Sequence, residues 1–187
     1  MPIIRRCLSI IIATTLLILV IPATSNAKHI YDNSGRISFE VSNKWYYFPM
    51  PDDAQTMTLL SIALDNNTAV ALKQSKFYFP HKTISAMSNT DKSMMRDNLL
   101  SYYTNGFKAK GYTASLNKAD YWKNSIIMGF TLNKNGKTYK CVAGYWIKDY
   151  ICYSLCCMST LSTMMDAFNA AKSLKVDNVP FEQWVNN

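Results

Sequence analysis

Histidine is scarce in this sequence. Among 187 residues only His29 and His81 occur, and neither stands at the spacing of a metal-binding pair or of a zincin motif. The sequence also lacks a phosphate-binding P-loop, a dinucleotide-binding fingerprint and a G-x-S-x-G nucleophile motif. We therefore expect no catalytic residue, no metal site and no cofactor. The enzymatic alternative is a small exported hydrolase with a pocket near His81.

Acidic residues are outnumbered by basic ones, 12 to 20, and none precedes Asp32. At the N-terminus two arginines precede an almost unbroken apolar run, 8–21, and small residues end the segment at Ala27. This three-part layout is typical of a cleavable signal peptide. A retained membrane anchor is the alternative, but the run is shorter than the roughly 20 apolar residues of a bilayer span. We predict a signal peptide over 1–27 and a mature chain that begins at Lys28, in the periplasm or outside the cell.

Cleavage at this point leaves about 160 residues, enough for one domain with its own core. The polar start of the mature chain, 28–35, is predicted to be a loose N-terminus. A single domain is predicted over 36–175. A C-terminal tail over 176–187 follows it, pinned by Phe181 and Trp184. Since no second apolar segment reaches spanning length, we expect no transmembrane segment after cleavage.

Alternating and β-branched apolar segments predict strands along most of the mature chain. A helix between them begins near Ser88, Asn89 or Thr90, which are good N-caps, and ends at Gly106 or Gly111. Its apolar stripe recurs every four residues, at Met95, Leu99, Tyr103 and Phe107. The predicted strands are 37–41, 44–48, 56–64, 68–79, 112–116, 119–122, 125–132, 137–147 and 150–158.

A closing helix is predicted over about 162–174. Its apolar stripe consists of Leu161, Met165, Phe168 and Ala171. The predicted order of elements is typical of an α+β fold: strands come first, then a helix, more strands and a last helix. We predict a mostly antiparallel sheet of about six or seven strands that helices cover.

Two turn signals predict the register of the last three strands. A two-residue turn at Asn135-Gly136 places Phe130 opposite Cys141. A second two-residue turn, at Lys148-Asp149, then places Cys141 opposite Cys156. Both faces of the resulting meander are apolar, so we expect the sheet to be covered on both sides.

The mature chain has four cysteines, at positions 141, 152, 156 and 157. Export favours disulfides, and four cysteines can pair completely in three ways. The register favours a bond between Cys141 and Cys156, and a one-residue change in the second turn would substitute Cys157. The alternative is that all four are buried thiols, since free cysteine packs as a small apolar residue. Both interpretations stay open.

Lysines concentrate in one segment, 108–148, which holds eight of them against a single acid, Asp120. Lys134, Lys137 and Lys140 are the predicted anion-binding patch, which would contact an anionic envelope surface or a protein partner. The alternative is a solvated sheet edge, where lysines prevent pairing with another chain. Nucleic acid is not expected as a partner of an exported protein.

Two stretches carry a family resemblance. The strand 37–41 leads across a turn to Trp45, and an apolar helix over 168–174 follows the last strand. Both resemble the corresponding parts of the PsbP-like α/β/α fold, which occurs in small exported or lumenal proteins. The family commonly has a proline and a glycine before that tryptophan, and this sequence has neither there. The resemblance covers roughly 36–175 and implies that fold, with binding or accessory roles rather than catalysis.

These observations together predict an exported, non-catalytic binding or accessory module of the cell envelope. The resemblance assigns no site residue, and a fold by itself does not determine a function.

Overall fold

A computed structural model describes residues 27–122 and 124–187. The predicted signal peptide lies outside the described residues apart from Ala27. None of the helices within the described ranges is long and apolar enough to cross a membrane.

A seven-stranded sheet forms the centre of the molecule. Its strands lie in the order β3-β4-β5-β9-β8-β7-β6, and every neighbouring pair is antiparallel. With the helices that pack on it, this sheet confirms the predicted α+β fold. Its strands are β3 (Tyr46–Tyr47), β4 (Thr56–Asp65), β5 (Thr68–Tyr78), β6 (Thr113–Trp122), β7 (Ser125–Lys134), β8 (Lys137–Lys148) and β9 (Ile151–Ser159).

A smaller sheet has the order β1-β2-β10-β11. Its strands are β1 (Ala27–Tyr31), β2 (Ile37–Ser42), β10 (Lys175–Val176) and β11 (Val179–Pro180). The prediction of a loose N-terminus over 28–35 is therefore wrong for its first part, because β1 pairs with β2 along its whole length. Only Ile30 of β1 is packed against the core, so the sequence carried little apolar signal for this strand.

Helix α1 (Asn89–Ala109) crosses from β5 to β6. Ser88 is its N-cap, and the Ser88 hydroxyl accepts the Asp91 amide at 3.1 Å. At the other end Gly111 has a φ of 78°, which lies in the left-handed region. The Tyr112 amide donates to the Phe107 carbonyl at 2.9 Å, which together with the Gly111 conformation is a Schellman ending. Gly111, one of the two predicted stops, therefore ends the helix.

Helix α2 (Met164–Lys172) closes the domain. The predicted stripe is wrong at Leu161 and Met165, whereas Ala171 does pack against the core. Leu161 and Met165 are 64% and 62% exposed, whereas Ala167 and Ala170 are buried. Alanine lets the helix lie close against β9, and the larger side chains on the neighbouring positions point outward. Leu174 lies just past the end of the helix, and its large apolar side chain is buried in the core instead.

Both faces of the large sheet are covered, as its apolar pattern predicted. We call the core under α1 the helix-side core and the core under the smaller sheet the sheet-side core. The helix-side core contains Ile126, Met128, Phe130, Leu132, Tyr139, Cys141, Ala143, Tyr145, Ile147 and Cys152, with Met95 from α1. The sheet-side core contains Phe39, Trp45, Leu60, Ile62, Val70, Leu72, Trp146, Cys157, Ala167, Leu174 and Phe181.

The register of the first predicted turn is confirmed, since Phe130 is opposite Cys141. The second turn lies one position later than predicted, at Asp149 and Tyr150, which both have positive φ. Cys141 is therefore opposite Met158 rather than Cys156. The pairing shifts by two residues, so each side chain keeps its face of the sheet. A contact outside the hairpin holds this turn, because the Phe79 amide donates to the Tyr150 carbonyl at 2.7 Å.

Candidate functional site

The three predicted patch lysines do not share one face of the sheet. Lys134 and Lys137 are paired across the β7–β8 turn and stand on the α1 side. Lys140 lies on the opposite side, because successive residues of a strand alternate between faces. Its ammonium donates to the Thr131 hydroxyl at 2.7 Å. Counting odd and even positions along β8 would have revealed this separation from the sequence.

Helix α1 brings two further lysines to the β7–β8 turn. The Lys134 ammonium donates to the Lys110 carbonyl at 2.7 Å and lies 4.9 Å from the centre of the Tyr112 ring. Lys108 is in the last turn of the same helix. The C-terminal end of a helix carries partial negative charge, which favours cations there. We call the group Lys108, Lys110, Lys134 and Lys137 the basic end.

The ammonium groups of the basic end lack acidic neighbours. Among the described residues, no carboxylate oxygen lies within 4 Å of any of the four. The β4–β5 turn contributes Asp65 to the same end of the sheet, where its carboxylate accepts the Asn67 amide at 2.7 Å. The Asn67 carboxamide in turn accepts the Tyr139 hydroxyl at 3.2 Å. The basic end therefore keeps a net positive charge.

Other lysines of the segment 108–148 are placed elsewhere. Lys118 is paired with Asp120 at 2.6 Å. Lys148 ends β8, about 36 Å from Lys137 at roughly 3.3 Å per residue, and lies 5.3 Å from the centre of the Trp184 ring. Among the described lysines of this segment, Lys108, Lys110, Lys134 and Lys137 therefore lie at one end of the sheet, and Lys118 and Lys148 lie apart from them.

His81, the residue of the enzymatic alternative, lies beside a carboxylate. Its Nε2 atom is 3.5 Å from Asp91 Oδ2, and the Ser88 hydroxyl donates to that same oxygen at 2.7 Å. The hydrogen bond from Ser88 lowers the pKa of Asp91. Desolvation opposes this effect, and the neighbouring His81 adds to it. Because Ser88 donates to the carboxylate and not to the imidazole, the arrangement lacks the nucleophile-to-base hydrogen bond of a catalytic triad. No cluster of three metal-ligating side chains occurs in the described part of the chain.

The cysteines lie on both sides of the sheet. Cys141 and Cys156 face α1 with their sulfurs 3.6 Å apart. Cys152 is on the same side, and burial raises the pKa of its thiol to about 12. Cys157 points into the sheet-side core, where burial raises its thiol pKa further.

A groove of about 280 Å³ opens between the two sheets. Tyr153 and Trp184 meet edge to face in it, with ring centres 5.2 Å apart. Arg36 at its rim makes a two-point ion pair with Asp177, at 2.7 and 2.6 Å. The groove is lined by Asp32, Ser34, Arg36, Ile37, Leu59, Leu72, Gln74, Tyr153, Val176 and Trp184. Since its one guanidinium is already paired, the groove offers mainly apolar contact.

Asp53 lies in the loop before β4, and its carboxylate is held by several hydrogen bonds. Its carboxylate accepts the hydroxyls of Thr56 at 2.7 Å and of Tyr102, in α1, at 2.8 Å. Lys73 lies 3.4 Å away. Partial burial disfavours the charged form, but hydrogen bonds from Thr56, Gln55 and Tyr102 outweigh it and hold the pKa of Asp53 well below its ordinary value. The loop before β4 is therefore fastened to α1, a contact that no local pattern could indicate.

Comparison with known proteins gives a match by structure. No model of a protein family matches the sequence, and no curated protein matches it. The cyanobacterial PsbP protein CyanoP from Synechocystis sp. PCC 6803, solved in solution, is similar with a TM-score of 0.55. The similarity covers 83% of this chain and 95% of that chain, at 11% sequence identity. The chain has a PsbP-like fold.

Two other solved structures show lower similarity to this PsbP-like chain. LpqN, described as involved in cell envelope biogenesis of Mycobacterium tuberculosis, has a TM-score of 0.41 and 13% identity, covering 80% of this chain and 87% of that chain. The protein PA94 of Pseudomonas aeruginosa, described as a putative regulator of unknown function, has a TM-score of 0.34 and 6% identity, covering 74% and 86%. The similarity to CyanoP shows the PsbP-like fold alone, and at such identities none of the three structures transfers a site residue to this chain.

Proposed function

We propose that this PsbP-like chain is an exported, non-catalytic binding or accessory module of the cell envelope, and that its basic end attaches it to an anionic surface. One observation carries the proposal. Four lysines from two separate segments of the chain gather at one end of the sheet, without a carboxylate within 4 Å among the described residues.

The chemistry of the basic end suits a diffuse anionic surface better than a shaped acidic ligand. Lys108, Lys110 and Lys137 are exposed, and a lysine ammonium acts as a mobile point charge, without the fixed two-point geometry of an arginine. Each lysine near an anionic lipid surface contributes about 1 kcal/mol of binding. Four of them together correspond to roughly a thousandfold preference for the surface.

The test is sedimentation of the mature protein with phosphatidylglycerol vesicles, using phosphatidylcholine vesicles as the neutral comparison. We expect binding to the anionic vesicles at low salt and a steep loss as salt rises, because exposed charges are screened within about 8 Å at physiological ionic strength. The triple variant Lys108→Gln, Lys110→Gln and Lys137→Gln should lower the vesicle affinity on the order of a hundredfold.

A matched variant separates this site from net charge. Replacing Lys82, Lys92 and Lys172 by glutamine changes the net charge equally and leaves the basic end intact, so it should bind nearly as the parent does. The variant Lys140→Gln should also keep its binding, since Lys140 faces the other way. Equal losses in both triple variants would contradict a localised site. If the protein bound an acidic wall polymer or an acidic protein but not vesicles, that partner and not a lipid surface would be what the basic end binds.

A further inference from the structure

Two sulfurs stand close together beneath helix α1. Cys141 lies on β8 and Cys156 on the neighbouring strand β9, two residues out of direct opposition. Diagonal neighbours of this kind stay within reach of one another across an antiparallel pair. Their Sγ atoms are 3.6 Å apart, and a disulfide bond is about 2.05 Å long. Bond formation requires the sulfurs to approach by a further ~1.5 Å, through side-chain rotation and a small strand displacement.

The environment of the pair excludes competing partners. Cys141 is only 1% exposed, and its hydrogen bond with Cys156, together with burial, raises its thiol pKa. Cys157, next in sequence to Cys156, points to the opposite face and contacts the Ala167 carbonyl at 4.0 Å. The Cys152 sulfur contacts the carbonyl of Tyr153, at 3.9 Å. Among the four cysteines, 141 and 156 are thus the two whose sulfurs face each other.

We propose that Cys141 and Cys156 form a redox pair, which oxidises to an intramolecular disulfide joining β8 to β9 under α1. Each thiol loses its proton and the pair loses two electrons as the S–S bond forms. A disulfide oxidant such as oxidised glutathione accepts both electrons and both protons, and its own S–S bond breaks to give two thiols. The proposal is independent of the anionic surface, because the two cysteines lie in the core and not at the basic end.

The bond would close a loop of 14 residues that includes the β8–β9 turn. Closing a loop of this length restricts the unfolded chain more than the folded one, where the two strands are already adjacent. The oxidised protein should therefore melt higher than the reduced one, by a shift on the order of 5–10 °C for a domain of this size.

The experiment uses the full chain with Cys7→Ser, so that only the four cysteines of the described residues are counted. The protein is treated with oxidised glutathione, then unfolded and alkylated, and its free thiols are counted by intact mass. We expect the count to fall from four to two, with a cross-linked peptide pair that contains Cys141 and Cys156. Either Cys141→Ser or Cys156→Ser should abolish both the cross-link and the melting shift.

Cys152→Ser and Cys157→Ser are the matched controls, and each should still form the bond with one free thiol remaining. Four free thiols after oxidation in the parent protein would overturn the proposal, as would a cross-link that maps to Cys152 or Cys157. If one serine variant at the pair fails to fold, the peptide map of the parent protein decides the question alone.

Discussion

At the residue scale, Gly144 shows how closely the sheet-side core is packed. The ring of Trp146 lies directly over it. A Cβ added at Gly144 would overlap two atoms of this ring, one of them at 2.7 Å, and would lie 3.1 Å from the Ile127 side chain. A strand glycine of this kind marks a close approach of a neighbouring group.

We predict that Gly144→Ala destabilises the fold by about 1–3 kcal/mol, because the indole must leave its position in a filled core. Gly129→Ala is the control. Gly129 is also on a central strand, but a Cβ there would meet no atom within 4 Å, so its substitution should be neutral or stabilising by up to about 1 kcal/mol. Urea unfolding curves of both variants measure the difference, and equal costs would contradict the packing argument.

At the element scale, α1 is fixed by contacts at both ends and along its side. Its ends are closed by local signals, the Ser88 cap and the glycine at position 111. Its side is fastened to the loop before β4 through the hydrogen bond from Tyr102 to Asp53. Burial, and next the contact with this carboxylate, raise the pKa of Tyr102 to about 12.

The lowered pKa of Asp53 predicts a pH dependence of stability. A carboxyl whose pKa is lower in the folded state contributes stability above its unfolded pKa, and this contribution is lost as the pH falls towards the folded pKa. The difference in unfolding free energy between the parent and Asp53→Asn should therefore be full at pH 6–7 and shrink below about pH 4. Chemical unfolding at several pH values measures it.

Two variants test the source of this effect. Tyr102→Phe removes one hydrogen bond to the carboxylate and should cost about 0.5–1.5 kcal/mol near neutral pH. Asp52→Asn removes one negative charge from the neighbouring residue and leaves the hydrogen bond from Tyr102 to Asp53 in place. A difference between parent and Asp53→Asn that stays constant from pH 7 to pH 2 would show that ionised Asp53 adds nothing.

At the scale of the whole molecule, the chain is a central sheet with a core on each face, and the last residues close one of these cores. Helix α3 (Phe181–Asn186) follows β11 and packs on the sheet-side core. Phe181 is 4% exposed and meets Trp146 edge to face, with ring centres 5.2 Å apart. The tail is thus part of the folded unit and not an appendage to it.

We predict that Phe181→Ala destabilises the protein by about 3–5 kcal/mol, since it removes a buried aromatic ring and leaves a cavity. Met165→Ala removes a large side chain from α2, but one that is 62% exposed, so its cost should stay within about 0.5 kcal/mol. Thermal and urea unfolding measure both. A large cost at Met165 would restore the apolar stripe that the sequence predicted for α2.

Features that depend on local chemistry could be predicted from the amino-acid sequence. The apolar periodicity of α1, the Ser88 cap and the Asn135-Gly136 turn each act over a few residues, and these signals predicted the structure correctly. The apolar pattern on both sides of the meander likewise required a sheet covered on both faces. The order of the elements predicted the α+β fold, and the family resemblance of 37–45 and 168–174 implied its PsbP-like type.

Features that depend on contacts between distant parts of the chain could not be predicted from any local pattern. The β8–β9 turn took its position with the help of a hydrogen bond from Phe79, and α2 buried its alanines because they allow a close approach to the sheet. The basic end formed because the close of α1 lies beside the β7–β8 turn, while strand alternation sent Lys140 to the other face. A local pattern fixes which residues are neighbours along an element, but the partner of each element is set by packing and by the free energy of the whole fold.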